Sequence, residues 1–208
     1  MLNILDWFRD RSPQGRYANE VYGSIVTQGR DPVFYTDFGV EDVAEKRYEL
    51  IVLHMVLVLE RLRELRGELR NGAEHELAQA LTETFVRDLD GSMREMAVGD
   101  TKVPAKVRKA AGGLYDRDFL YRDAFAVVDD GEPLSDTGLT LAGLVEELLF
   151  EGRSVPEASA LAAYTLSARA ELRVWSPFPG NEEASRDEPI TLPRFPRATK
   201  FLNGEARS

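Results

Sequence analysis

The feature that most constrains this fold is a ten-residue run, residues 50–59, in which every side chain is apolar except that of His54. As an α-helix the run would be about 15 Å long, half of the roughly 30 Å that a membrane span must cross. Charged residues flank it on both sides, over 41–47 and 60–70. A helix that is apolar all round and charged at both ends is typical of the centre of a bundle. The run therefore predicts a buried central helix over residues 41–69.

The remaining hydrophobic periodicity is helical as well. It predicts further helices over 14–29, 73–97, 103–128, 140–151 and 157–175, with interruptions at Gly91 and at Gly112-Gly113. Thr140 is predicted to cap one helix, and Pro156 to occupy the first turn of the next. No alternating strand pattern stands out, so the predicted fold class is all-α, a compact helical bundle.

Two segments lie outside this pattern. The single helical domain is assigned residues 1–175, and residues 176–208 form a proline-rich tail that is predicted to be extended and partly disordered. Within the domain, residues 2–8 form a short amphipathic stretch that lacks the apolar length of a signal peptide. These residues either dock on the protein's own core or lie on a membrane surface.

Charge is unevenly placed along the chain. The net charge of −10 argues against DNA as a partner. Residues 102–122 nevertheless carry a net +4, and residues 123–151 carry −8. The two blocks are either complementary solvated faces, or the basic block contacts RNA phosphates or an acidic protein. The basic side chains of this block are Lys102, Lys106, Arg108, Lys109, Arg117 and Arg122.

The sequence contains few of the residue types and motifs that enzymes use for catalysis. The absence of cysteine excludes disulfides, thiolate metal sites and cysteine nucleophiles. Phosphate-loop, nucleophile-elbow and zinc-protease motifs are missing too. His54 is either a hydrogen-bonded core histidine or a catalytic or metal-binding one, but it lacks the Glu-x-x-His spacing of di-metal bundles. No catalytic residue, metal or cofactor is predicted, and the chain is interpreted as a non-enzyme.

The acidic stretch that begins at Asp88 resembles the start of a calcium loop. The twelfth position, where such a loop needs a glutamate, is Gly99. Arg94 is instead spaced to pair with Asp90 on one helix face. An enzyme that uses Asp88 and Asp90 as a carboxylate pair is the remaining catalytic alternative.

Several long motifs resemble the ubiquinol–cytochrome c chaperone family. They are QGRDPVFY at 28–35 with FGV at 38–40, RYELIVLH at 47–54, and FVRDLDGSMREMAVGD at 85–100. The resemblance covers about residues 15–128. It implies a helical, non-catalytic assembly factor for the cytochrome bc complex, whose mitochondrial relatives bind newly made cytochrome b at the ribosome exit and act with a small partner protein.

The resemblance, the N-terminal stretch and the charge pattern together predict partners and a location. The expected partner is newly made cytochrome b or another bc complex subunit, with the ribosome and a membrane surface, contacted through residues 2–8, as further candidates. A bacterial, cytoplasmic protein is expected, peripheral to the cytoplasmic face of the inner membrane if that contact forms. The basic block at 102–122 supports the alternative of a ribosome- or RNA-associated module.

The family motifs supply the candidate residues for binding a client or partner. They are Phe34, Tyr35, Phe38, Gly39, Arg47, Glu49, His54, Asp88, Asp90, Arg94, Glu95, Met96 and Gly99. Two alternatives stay open at this point. The three aromatic residues could simply pack in the core, and Arg47 and Glu49 could form ion pairs with neighbouring helices.

Overall fold

The computed structural model describes residues 13–67, 72–95, 103–130, 139–178 and 191–202, without the side chains of residues 13, 14, 106 and 130. These ranges contain helices and no strand, which confirms the all-α prediction. The helices are α1 (Pro13–Gly29), α2 (Val33–Thr36), α3 (Ala44–Arg66), α4 (Ala73–Glu95), α5 (Val103–Asp130), α6 (Leu141–Phe150) and α7 (Pro156–Leu172), followed by a 3-10 turn (Ala198–Phe201).

Helix α3 lies at the centre of the bundle. It contacts α1, α4, α5, α6 and α7, and every residue from 49 to 58 is buried. The predicted central helix is therefore confirmed, and the physical reason is its composition, since an all-round apolar helix must be covered on every side. No helix in the described parts of the chain is long and apolar enough to cross a membrane.

Helices α6 and α7 begin where the sequence predicts. The Thr140 hydroxyl accepts a hydrogen bond from the Gly143 amide at 3.2 Å, which satisfies one of the free amides at the start of α6. Pro156 occupies the first turn of α7, where its missing amide hydrogen is not needed. Both helices pack against α3 and against each other.

The predicted interruptions of α4 and α5 are wrong. Both helices continue without a break, α4 through Gly91 and α5 through Gly112 and Gly113. Each glycine costs only about 1 kcal/mol of helix propensity, and tertiary packing of the two long helices outweighs that cost. Gly113 has a packing role, because a β-carbon there would lie 2.7 Å from the hydroxyl of Tyr48.

The described part of the C-terminal tail lies against the helices. Residues 191–197 have no regular secondary structure, and the 3-10 turn that follows buries Ala198. The Thr191 carbonyl accepts hydrogen bonds from the Tyr17 hydroxyl at 2.7 Å and from the Trp175 indole at 2.9 Å. This stretch contributes side chains to the core, including those of Ala198 and Phe195.

Candidate functional site

The aromatic residues of the family motif surround His54 in the middle of the molecule. Helix α2 is a single turn that inserts Phe34, and the chain then places Phe38 beside it, with ring centres 5.8 Å apart. The Phe34 ring lies 5.8 Å from the His54 ring and 5.3 Å from that of Tyr164 on α7. Phe34, Phe38 and His54 are completely buried. A client could contact these three side chains only if the bundle opened.

His54 is a hydrogen-bonded core residue, as one of the two sequence interpretations predicts. Its Nδ1 lies 2.7 Å from the Leu50 carbonyl, and its Nε2 lies 2.7 Å from the Tyr164 hydroxyl. A carbonyl can only accept, so Nδ1 carries the proton and Nε2 accepts from Tyr164. Burial lowers the pKa of His54 to about 4, because the charged ring would lose its hydration. The imidazole is therefore neutral at pH 7.

The turn that leads from α2 to α3 is more accessible. Tyr35 is half-buried, and its hydroxyl donates to the Gly29 carbonyl at 3.0 Å. Gly39 is exposed and has a φ of 68°, a backbone conformation that favours glycine. Tyr35 and Gly39 thus present part of the family motif on the surface beside the buried phenylalanines.

The two charged candidates on α3 have different surroundings. Glu49 is buried and receives two hydrogen bonds from Arg117 on α5, at 2.6 and 3.1 Å. These hydrogen bonds raise the pKa of Arg117. Arg47 is exposed and pairs with Asp42, just before the same helix, at 2.6 Å. The interpretation as an ion pair between helices is confirmed for Glu49, whereas the partner of Arg47 precedes its own helix.

The candidates on α4 lie on its C-terminal half. Asp88 accepts a hydrogen bond from the Tyr22 hydroxyl of α1 at 2.9 Å, and burial together with this carboxylate raises the pKa of Tyr22. Arg94 donates to Asp90 at 2.7 Å, which confirms the predicted pair one helical turn apart. Glu95 is exposed at the end of the helix. Met96 and Gly99 lie outside the described residues.

The basic block divides into different environments on α5. Arg117 is engaged with Glu49, while Arg108, Lys109 and Arg122 are exposed. Two large apolar side chains, Tyr115 at 66% and Phe119 at 49% exposure, lie among them. Lys102 and the side chain of Lys106 lie outside the described part of the structure.

Within the described residues, no group of three or more histidine, aspartate or glutamate side chains is placed to hold a metal ion. Asp90 is engaged with Arg94, and Asp88 with Tyr22. Both carboxylates are thus hydrogen-bonded to neighbouring side chains of the protein.

A cleft of about 450 Å³ lies between α3, α4 and α5, and no feature of the sequence predicts it. Leu62 and Leu114 lie at its base, and Arg66 and His75 line one side of it. These residues come from three helices, and none of them belongs to a recognisable motif. Only the buried apolar side chains gave a periodic signal in the sequence, and periodicity does not show which helices meet.

Comparisons with known proteins agree on one family. A family profile described as ubiquinol-cytochrome C chaperone matches residues 36–176. Among solved structures, the chain is similar to the Cbp3 homolog from Brucella abortus, with 34% sequence identity and a TM-score of 0.65. That alignment covers 84% of this chain and 90% of the other. A search of curated proteins gives no significant match.

Proposed function

Because the chain belongs to the ubiquinol–cytochrome c chaperone family, we propose that it is a non-enzymatic assembly chaperone for newly made cytochrome b of the ubiquinol–cytochrome c reductase (bc) complex. The family match carries this proposal, since it extends over residues 36–176 and so over helices α3 to α7. The similarity to a solved bacterial homolog of Cbp3 supports a bacterial setting. The protein would then act in the cytoplasm or at the cytoplasmic face of the inner membrane, where residues 2–8 could contact lipid.

The burial of the motif residues suggests a division of roles. The buried members, Phe34, Phe38 and His54, hold α2 and α7 against α3. The exposed members are available to a client, and they include Gly39, Arg47, Arg94 and Glu95. We assign client contact to this exposed subset. Exposed residues that belong to a family motif are better candidates for binding than buried ones, whose role in packing is already evident.

Deletion of the gene tests the proposal directly. We expect less assembled bc complex and less spectroscopically detected cytochrome b, with unchanged transcripts of the complex subunits. A plasmid-borne copy should restore both. Normal cytochrome b spectra in the deletion strain would contradict the proposal.

A crosslinking pull-down from growing cells identifies the client itself. Newly made cytochrome b should be the main partner, and capture should weaken when Arg47 and Arg94 are replaced by glutamine. Arg173→Gln is the matched control, because Arg173 is an exposed arginine outside the family motif residues. Recovery of a different bc complex subunit would retain the chaperone role and reject cytochrome b as the client.

The exposed basic face of α5 favours a second candidate function, contact with the ribosome. Arg108, Lys109 and Arg122 face solvent and flank the exposed rings of Tyr115 and Phe119. Aromatic rings between cations suit RNA, since the cations neutralise phosphates and the rings stack on bases. Co-sedimentation with ribosomes should fall steeply between low and moderate salt.

A triple substitution of these cations to glutamine should flatten that salt dependence. Three lost phosphate contacts would reduce the slope of log affinity against log salt by about 2. Arg173→Gln should leave the slope unchanged. No co-sedimentation at low salt would exclude this second function.

A further inference from the structure

The described tail, residues 191–202, packs against the helices through its apolar side chains. Those that are buried or half-buried are Pro193, Phe195, Pro196, Ala198 and Phe201. The charged side chains of this segment are all cations, all exposed and without an ion-pair partner among the described residues, and they are Arg194, Arg197 and Lys200. Apolar contact rather than charge therefore attaches the tail to the protein.

Side chains from three helices form the surface beneath the tail, which we call the tail site. Tyr17 of α1 and Trp175, just after α7, donate hydrogen bonds to the Thr191 carbonyl at 2.7 and 2.9 Å. The rings of His54 on α3 and Tyr164 on α7 meet the two phenylalanine rings of the tail, with centres 5.0 and 5.9 Å apart. The tail site thus contacts one backbone carbonyl and two aromatic rings.

Hydrogen bonds hold the tail at one end only. In the described structure, every hydrogen bond between the tail and the rest of the protein involves Thr191, whose own hydroxyl donates to the Ser176 carbonyl. Residues 192–202 contact the helices without such bonds. Because apolar contacts are not directional, another segment with similar side chains can replace them.

Most polar side chains of the tail site have a partner besides the tail. The Tyr17 hydroxyl has one proton, and the Pro177 carbonyl lies 3.0 Å from it as a second acceptor. The Tyr164 hydroxyl donates to Nε2 of His54 within the site itself. The indole N–H of Trp175 would be uncovered and could bind water. Departure of the tail therefore removes apolar contacts but leaves no buried side chain of the site without a hydrogen-bond partner, the loss that is most costly.

The tail site and its occupant differ in their relation to the family. The profile match over residues 36–176 includes His54, Tyr164 and Trp175, whereas the described tail begins at residue 191, beyond the end of the match. The site is thus built mainly from positions that the family profile describes, and the segment that covers it is not. This division is expected of a site that has a role of its own.

We propose that the tail site binds a segment of a partner protein, and that the protein's own tail occupies the site until such a segment displaces it. The segment that fits has two aromatic residues six positions apart and a free backbone carbonyl four positions before the first, as Thr191, Phe195 and Phe201 provide. Main-chain hydrogen bonds combined with side-chain contacts are an established way to recognise a peptide. The inference goes beyond the proposed function, since it does not depend on which protein supplies the segment.

Competition between the tail and a synthetic copy of it tests the inference in the full chain. The probe is a fluorescein-labelled peptide with the sequence of residues 191–202, and the comparison peptide has alanine in place of both phenylalanines. In the wild-type protein the attached tail acts at an effective concentration of about 1 mM, so the probe should bind weakly. Phe195→Ala in the protein weakens the attached tail and should raise the affinity for the probe about tenfold by fluorescence anisotropy.

The controls separate binding at the tail site from binding elsewhere. Leu192→Ala should leave the affinity for the probe at the wild-type value, because Leu192 is 40% exposed. The comparison peptide should bind the Phe195→Ala protein at least about tenfold more weakly than the probe does. Equal affinity of the wild-type and Phe195→Ala proteins for the probe, or equal binding of the two peptides, would overturn the inference. Dimers of the wild-type protein that exchange their tails would reject a partner segment in favour of a second copy.

A reporter on the tail keeps the test valid if Phe195→Ala fails to fold. The chain has no cysteine, so Leu192→Cys provides a single labelling site, and a bimane label there lies near the indole of Trp175, which quenches it on contact. Excess unlabelled probe peptide should displace the tail and increase bimane fluorescence, whereas the comparison peptide should not. No increase at millimolar peptide would show that the tail is a fixed part of the core and would overturn the inference. Normal cytochrome b in the deletion strain would leave these results unchanged, so the two proposals fail separately.

Discussion

Two adjacent glycines on α5 show how much a single β-carbon can matter. A β-carbon at Gly112 would meet nothing within 4 Å, whereas at Gly113 it would lie 2.7 Å from the Tyr48 hydroxyl. That hydroxyl donates to the Ala110 carbonyl at 2.7 Å and so joins α3 to α5. The two positions are equivalent in helix propensity and differ only in this approach.

We therefore expect opposite effects from the same substitution. Gly112→Ala should raise the free energy of unfolding by about 1 kcal/mol through helix propensity. Gly113→Ala should lower it by about 1 kcal/mol, because displacing the Tyr48 hydroxyl outweighs the same gain. Urea denaturation measures both. In a Tyr48→Phe background, Gly113→Ala should no longer destabilise, and equal stabilisation by the two alanines would contradict this account.

The buried histidine predicts a pH dependence of stability. The pKa of His54 is about 4 in the folded protein and 6.5 as its ordinary value, so between these pH values the unfolded chain binds the proton. Stability should therefore fall as pH decreases from 6.5 towards 4, by about 1.4 kcal/mol per pH unit and about 3 kcal/mol in total. Above pH 6.5 this contribution is complete and constant.

His54→Gln provides the reference for that measurement. The variant differs from the wild-type protein at this one position, so the difference between the two urea-denaturation series isolates His54. The wild-type protein should lose its advantage over the variant progressively below pH 6.5. Parallel pH profiles would show that His54 does not contribute in this way.

At the scale of elements, Arg169 of α7 connects three helices. It donates to Glu60 of α3 at 2.8 Å and to Asp129 of α5 at 2.7 Å, and its guanidinium lies 4.5 Å from the centre of the Phe125 ring. Glu60 is largely buried, and burial raises the pKa of its carboxyl. The arginine thus compensates a carboxylate that would otherwise be costly in this position.

Replacing only the arginine should lower the free energy of unfolding more than replacing both members of the ion pair. Arg169→Met should destabilise the protein by about 3 kcal/mol, because it leaves Glu60 without its partner. The double variant Arg169→Met, Glu60→Met should recover most of that loss, since two apolar side chains replace the buried ion pair. Thermal and urea denaturation of the four proteins in this cycle measure the coupling, and additive losses would exclude it.

At the scale of the whole molecule, the described tail is part of the folded unit. The Phe195 ring lies 5.0 Å from that of His54, and the Phe201 ring lies 5.9 Å from that of Tyr164. The tail therefore covers part of the aromatic cluster, and its 3-10 turn also contacts α2. Its loss would expose this cluster to water.

Phe195→Ala should consequently destabilise the whole protein. We expect a loss of about 2 kcal/mol, below the 3–5 kcal/mol of a fully buried phenylalanine because this ring is only half-buried. Leu192→Ala is the control, since Leu192 is 40% exposed and should change stability by less than about 0.5 kcal/mol. Equal urea midpoints for the two variants would show that the tail is only loosely attached.

The sequence predicts the helices better than their contacts. The central position of α3 can be predicted from its apolar run, because that composition alone requires burial on every side. The pairing of Glu60 with Arg169 cannot be predicted from the sequence, because the two residues lie 109 positions apart and neither has a distinctive local pattern. The sequence likewise places Phe195 only in a proline-rich tail. A single aromatic residue among prolines forms no periodic pattern, so the sequence does not show that Phe195 packs against the helices.

The candidate site follows the same division. Family motifs identify Phe34, His54 and Glu49, but motif membership does not distinguish residues that maintain the fold from residues that bind. The burial of each residue separates the two groups, and burial is known only from the structure. The cleft that Arg66 lines carries no motif at all, and it becomes visible only when α3, α4 and α5 are placed together.

The contacts of the tail can form only late in biosynthesis, after the ribosome has added the C-terminal residues. The Tyr17 hydroxyl finds its acceptor at Thr191, and His54 is covered by Phe195, which the ribosome adds about 140 residues later. At about 5–20 residues per second, roughly 7–28 s pass between the synthesis of His54 and that of Phe195. Contacts this distant in sequence also fold slowly. During each round of translation, this protein is therefore itself an incomplete chain with apolar surface exposed, and needs the kind of protection that we propose it gives to others.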